Sequence, residues 1–127
     1  FINNCEIKSD SNLIGCNLSG ESFSDVEIRG ADLRFADLSN AMLQNIDLSN
    51  SNLENANLQG IKLIDVDFSN TIFKDTAINN ATLNKVVFAD VSLKGISLQD
   101  STGRIPNPGL VLSIKTDFSI MSSVGDH

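Results

Sequence analysis

The chain contains no tryptophan, no tyrosine and a single histidine, the terminal residue His127. A serine-histidine-acid triad or a multi-histidine metal site therefore has nothing to build on in the body of the chain. Cysteine is limited to Cys5 and Cys16, and neither belongs to a C-x-x-C redox or zinc spacing. No apolar run reaches the roughly 18 residues that a membrane-spanning helix needs. Cations are in short supply, with 9 Lys and Arg against 16 Asp and Glu, for a net charge of −7. That balance disfavours sequence-independent binding to nucleic acid and favours basic partners. Glycine-rich phosphate loops, a nucleophile elbow and a paired acid with a base partner are also missing. No enzymatic activity, cofactor or metal site is expected, and no association with a membrane.

What is present is a repeat. The 127 residues suit one small domain. Cut from Ser11, the chain reads SNLIG, CNLSG, ESFSD, VEIRG, ADLRF, ADLSN and so on to ISLQD, with Leu, Ile or Phe at the centre of eighteen consecutive pentads. On an α-helix a step of five turns about 140°, which would scatter the centres around the whole circumference. On a flat strand an odd step would send successive centres to opposite faces. The pattern closes only if the chain bends at each pentad, so that every centre points to a common axis and later turns stack on earlier ones. A longer period appears two residues before the centres, where Val26, Ile46, Val66 and Val86 recur every twenty residues. Four pentads per turn follow.

The units ADLRF, ADLSN and ANLQG resemble the A(D/N)LXX repeat of the pentapeptide-repeat family, and the resemblance covers residues 11–100. It implies an all-β fold: a right-handed quadrilateral parallel β-helix, a solenoid of about four and a half to five coils with terminal caps. The expected organisation is an N-terminal cap or irregular first coil over 1–10, the β-helix over 11–100, and a turn segment with a strand-like cap over 101–127. Four inward columns form the expected core: Leu13, Leu33, Leu53, Phe73, Leu93; Leu18, Leu38, Leu58, Ile78, Leu98; Phe23, Leu43, Leu63, Leu83; and Ile28, Leu48, Phe68, Phe88. Small residues such as Ala31, Ala36, Ala41, Ala56 and Ala81 fill the second inward position beside them.

The ends depart from the pattern. Ile7 to Leu13 is six residues, so Asp10 reads as a one-residue insertion. Glu21 stands at an inward position, which a loosened first coil accommodates and a buried functional acid would also explain. Cys5 and Cys16 fall at second inward positions and read as buried free thiols; their eleven-residue separation does not stack them in adjacent coils, so no disulfide is expected. The centre fails at Gly103, and the segment GRIPNPG is expected to end the solenoid. From Leu110 to Ile120 apolar and polar residues alternate, which fits a strand cap or a degenerate further coil equally well.

Two surface features are candidate interaction sites. The first is an acidic column, Glu27, Asp47 and Asp67, with Asp90 on the same face one coil later. Stacked carboxylates repel unless Arg29, cations or a basic partner compensates, though such residues also solvate and hydrogen-bond the coil. Oxygens in one line lack the geometry that a Ca²⁺ or Mg²⁺ site requires. The second is a set of outward apolar residues, Ile14, Phe35 and Ile72 on one face, with Arg34 beside Phe35, and Met42 and Ile64 on the opposite one.

The expected function is a non-catalytic scaffold that binds a protein through its faces, as a monomer or homodimer. The resemblance implies an alternative, because some family members mimic duplex DNA and bind DNA gyrase and topoisomerase IV, protecting or inhibiting these type II topoisomerases. Those members are usually longer rods that dimerise through a C-terminal helix, some with projecting loops; residues 11–100 carry no insertion. A third reading is the repeat module of a larger secreted effector or cyanobacterial protein. A start at Phe1 rather than Met is read as a fragment or mature form, and the compartment stays open between the cytoplasm and a secreted or lumenal location.

Overall fold

The computed structural model describes residues 1–93, 96, 98 and 101–104. The chain lays down one rung of parallel sheet every twenty residues. Strands β1 (Ser22–Ser24), β2 (Met42–Asp47), β3 (Lys62–Asp67), β4 (Thr82–Val87) and β5 (Thr102–Arg104) pair in chain order as one five-stranded sheet. Their register is constant: Phe23 pairs with Leu43, Leu43 with Leu63, Leu63 with Leu83, and Leu83 with Gly103. The other faces repeat the same step through single parallel bridges, Asn12 to Asp32 to Asn52 to Ile72 and Asn17 to Asp37 to Asn57 to Ala77. The protein is a β-solenoid with four pentads to the coil.

All of the eighteen expected centres except Phe23 are buried. Three of them, Phe68, Phe73 and Phe88, meet with ring centroids 5.0 to 5.7 Å apart, two of the pairs edge-on. Hydroxyls share the second inward position with alanine, and they are satisfied there. Ser51 donates to the carbonyl of Ile28 at 3.1 Å, Thr71 to Leu48 at 2.9 Å, Thr76 to Leu53 at 2.7 Å and Ser101 to Ile78 at 3.1 Å. Each bond runs inward to a carbonyl one coil earlier, so polar side chains enter the core without an unmet donor.

The bending of the chain has one local cause. Every fifth residue from Asp10 to Asp90 lies in the left-handed region, with φ between 53° and 71°. At many corners the next amide closes a tight turn on the centre, as from Cys16 to Leu13 at 3.1 Å, Ala36 to Leu33 at 3.0 Å and Ala56 to Leu53 at 2.9 Å. A positive φ at the third residue of such a turn is type II geometry, which favours Gly or Asn. Fifteen of the seventeen positions hold Gly, Asn or Asp, and the exceptions are Phe35 and Lys85. At Gly60 an added Cβ would also collide with the carboxamide of Asn40 on the coil above.

The N-terminal end differs from the expectation in three ways. Asp10 is no insertion: its amide bonds the Arg29 carbonyl at 2.8 Å just as the Gly30 amide bonds Ser49, so the register is already regular there and slips between Ile7 and Ser9. Phe23 is only half-buried, together with Glu21 and Val26, because its side of the first coil is open above; this is the loosened first coil, with the carboxylate of Glu21 at its margin. Cys5 and Cys16 are joined in a disulfide, with their Cα atoms 6.3 Å apart. An eleven-residue separation keeps the two cysteines apart only if residues 1–10 continue the coil. They do not: Asn3 and Asn4 both have positive φ and form a two-residue hairpin turn in which Ile2 and Cys5 exchange 2.9 Å backbone bonds. The reversed chain brings Cys5 over Cys16.

At the other end the parallel register runs on to Arg104, past the boundary expected at 100. Ladder bonds are made by backbone, so the glycine at the centre position of this rung does not end the pairing. The alternation between Leu110 and Ile120 and the choice between cap and further coil lie outside the described residues.

Phe35 pays a steric penalty that asparagine would avoid, since a left-handed L-residue with a bulky side chain costs about 1–2 kcal/mol. Phe35→Asn is expected to stabilise the fold by about 1 kcal/mol, read as a higher urea midpoint at unchanged slope. An unchanged or lower midpoint would show that the phenyl ring makes compensating contacts.

Candidate interaction faces

Where the residue before a centre is Asp or Asn, it acts as a clamp. Its side-chain oxygen accepts the backbone amide two residues on: Asp47 from Ser49 at 3.0 Å, Asp67 from Ser69 at 2.8 Å, Asn52 from Glu54 at 3.0 Å and Asn57 from Gln59 at 3.0 Å. The carboxylates of the acidic column are thus partly engaged with their own coil. Glu27, Asp47 and Asp67 stand in consecutive rungs as expected, and the column ends at Val87, which pairs with Asp67. Asp90 lies three residues further along, at the left-handed corner position that follows Asn50 and Asn70 at the twenty-residue step. Arg29 approaches Asp47, with Nε 3.8 Å from Oδ2, and supplies part of the expected compensation.

A second bank of charge faces this column, and it was not anticipated. At the corner after Leu43, Leu63 and Leu83, strands β2, β3 and β4 run on through the left-handed residue. This corner lies within the sheet. It forms an open trough of about 480 Å³ with Asp25, Asn45, Asp65 and Lys85 on one side and Glu27, Asp47 and Asp67 on the other. Val26, Ile46 and Val66 line its floor, the same column that reveals the twenty-residue period. Within the outer bank Asn45 Nδ2 donates to Asp25 Oδ1 at 2.7 Å. The signal for Asp25 and Asp65 was available, since both occupy the fifth pentad position twenty residues from a polar neighbour. Its meaning depends on the corner's geometry, which no residue pattern reveals. Among the described residues no group of His, Cys, Asp and Glu is arranged to hold a metal ion.

The apolar face lies on the other side of the coil. Phe35 is 62% exposed, Ile72 50% and Ile14 45%. They do not make one continuous patch, because charged pairs lie among them: Arg34 with Asp32, and Lys74 with Glu54 at 3.9 Å. Met42 and Ile64, on the opposite face, are half-buried. Arg34 forks onto Asp32, Nε to Oδ1 at 2.9 Å and Nη2 to Oδ2 at 2.7 Å. Those hydrogen bonds hold the Asp32 carboxyl below the ordinary carboxylate range against the opposing effect of partial burial, and they raise the Arg34 guanidinium. Arg34 is therefore occupied within its own coil.

The pH dependence follows in sign. A carboxyl with a lowered folded-state pKa contributes stability that is present above its unfolded value, about 3.9, and lost as pH falls through the folded value. The stability advantage of wild type over Arg34→Met is expected to hold from neutral pH down to about pH 4 and to shrink below it, measured by urea unfolding across that range. An advantage that grows on acidification would contradict the assignment.

Comparison with known proteins follows the same lines. Residues 9–45 and 31–70 match the pentapeptide-repeat family, with eight copies of the repeat. No curated protein matches the sequence. Solved structures share the fold at low identity. A pentapeptide repeat protein from the thylakoid lumen of Arabidopsis thaliana is 23% identical, with a TM-score of 0.58, over 72% of this chain and 67% of that one. HetL, a pentapeptide repeat protein involved in heterocyst differentiation regulation in the cyanobacterium Nostoc sp. strain PCC 7120, is 17% identical, with a TM-score of 0.61, over 78% of this chain and 55% of its own. QnrB1, a plasmid-mediated fluoroquinolone resistance protein, is 17% identical with a TM-score of 0.50, over 90% of this chain and 83% of that chain. With its eight matched repeats inside eighteen tandem pentads, and with this solenoid, the chain belongs to the pentapeptide-repeat family.

Proposed function

We propose that the protein is a non-catalytic scaffold that binds a basic protein partner along the acidic trough, with Phe35 as a separate apolar anchor on the opposite side. The observation that carries this reading is the pair of facing banks: Glu27, Asp47 and Asp67 in consecutive rungs about 4.8 Å apart and, opposite them, Asp25 and Asp65 two rungs apart with Asn45 between. Carboxylates held this close raise one another's energy, and a line of Lys or Arg side chains from an extended partner segment relieves that repulsion. Val26, partly exposed at the open end of the trough floor, accepts the aliphatic stem of one such side chain. Phe35 is kept in a left-handed conformation that the sixteen other such corners from Asp10 to Asp90 fill, Lys85 apart, with Gly, Asn or Asp, and an exposed aromatic ring is a common anchor of protein interfaces.

A second reading is duplex mimicry directed at DNA gyrase or topoisomerase IV. The acidic rungs favour it, and so does the shared fold with QnrB1, a fluoroquinolone resistance protein.

One experiment addresses both. Asp47→Asn/Asp67→Asn keeps the Oδ1 acceptor that each clamp uses, so the coil is preserved while two trough charges are removed. Glu54→Gln/Asp75→Asn removes the same charge from the opposite side and serves as the control. Binding of an arginine-rich extended peptide, measured by calorimetry at low salt, is expected to weaken at least fivefold in the trough variant and far less in the control. Equal weakening in both variants contradicts a trough-specific site. In parallel, gyrase supercoiling is titrated with the protein, and inhibition or drug protection that weakens only in the trough variant would favour the mimic reading.

A further inference from the structure

We infer that the Cys5–Cys16 disulfide is a redox latch that holds the N-terminal hairpin over the open end of the solenoid, and that its reduction uncovers the first rung. Among the described residues no coil lies above the first, and the segment that precedes it is what covers its centres. Where the hairpin lies, burial is complete: Leu13 is 0% and Leu18 2% exposed. Between them and Ile28, which is buried again where Ser9 and Asp10 pass, Glu21, Phe23 and Val26 are only half-buried, which shows what the uncovered rung is like.

The ties that keep the hairpin in place are few. The Ile2–Cys5 backbone bonds are internal to the hairpin and do not attach it to the coil. Attachment rests on the Asn3 Nδ2 bond to the Asn17 carbonyl at 2.8 Å, on partly buried Ile2 and Ile7, and on the disulfide. Ser9 and Asp10, which bond Arg29, fasten the chain where it enters the regular coil and leave residues 1–7 to swing. The disulfide is the covalent tie, and closing a loop of about a dozen residues favours the closed arrangement by about a hundredfold on chain-entropy grounds.

The switching chemistry needs a dithiol reductant. One of its thiolates attacks a sulfur of the Cys5–Cys16 bond, which breaks to leave a mixed disulfide and one protein thiolate. The reductant's second thiolate then displaces the other protein sulfur. Two electrons pass to the protein, both cysteine sulfurs take up protons, and the reductant leaves as a disulfide. With the tie gone, Leu13, Leu18 and the backbone groups of the first rung become the exposed end that solenoids otherwise cover.

Hydrogen exchange by mass spectrometry on the whole chain, oxidised and then reduced with dithiothreitol, tests this. Amides over residues 11–20 are expected to lose protection by up to about a hundredfold on reduction while residues 41–90 stay unchanged, and reoxidation should restore the original pattern. Cys5→Ala/Cys16→Ala should show the reduced pattern and ignore the reductant. The latch is overturned if reduction, verified by intact mass, leaves residues 11–20 as protected as before, or if protection falls equally over every coil, which would make the bond a general stabiliser. It is equally overturned if the unreduced protein carries free thiols at both positions.

Discussion

The structure depends on a left-handed backbone at every fifth residue. With φ positive at that position the chain turns a corner, the next centre points inward, and the pleat never gets the chance to send it outward. The other regularities are consequences. Coils of twenty residues stack in register because four corners return the chain to its starting face. Hydroxyls can enter the core because the corner aims each one at a carbonyl of the coil above. Even the sequence of surface charges is organised by this phase, since residues at equal positions of successive coils become neighbours at rung distance.

The faces differ because one corner is built differently. There β2 to β4 run through the corner, and a trough lies between two polar banks. Asp47 and Asp67 on the inner bank serve two ends at once, clamping their own coil through Oδ1 and leaving Oδ2 on the trough side, where that of Asp47 meets Arg29. Asp32 and Arg34 on the opposite side satisfy each other, so that face is electrostatically closed and its outstanding feature is the phenyl ring of Phe35. The two sides of the rod thus offer different chemistry from nearly the same repeat.

Much of this was legible in the residues. Eighteen apolar centres exclude helix and flat strand by arithmetic, and Val26, Ile46, Val66 and Val86 disclose the coil length, because burial acts on residue type at a fixed spacing. What escaped are features that depend on where the spacing breaks. The hairpin at Asn3 and Asn4 takes residues 1–7 out of the periodic frame, which defeats the argument against the disulfide and moves the register slip away from Asp10. Phe23 matches the core pattern but lacks a coil above it, a property of position along the rod that its pentad does not carry. Gly103 lacks a side chain to pack, yet its backbone pairs with Leu83 all the same. The trough likewise required the corner geometry, since Asp25 and Asp65 look like any other turn residues.

The pentad phase is the central claim, and deletions test it most directly. Removing residues 51–70 takes out one whole coil and leaves every later residue on its original face; removing Asn55 alone shifts every later centre out of phase. Thermal unfolding followed by circular dichroism should show a cooperative β-rich transition for the twenty-residue deletion and its loss or collapse to a much lower temperature for the single-residue one. A single-residue deletion that unfolds as cooperatively as wild type, at the same temperature, would contradict the account.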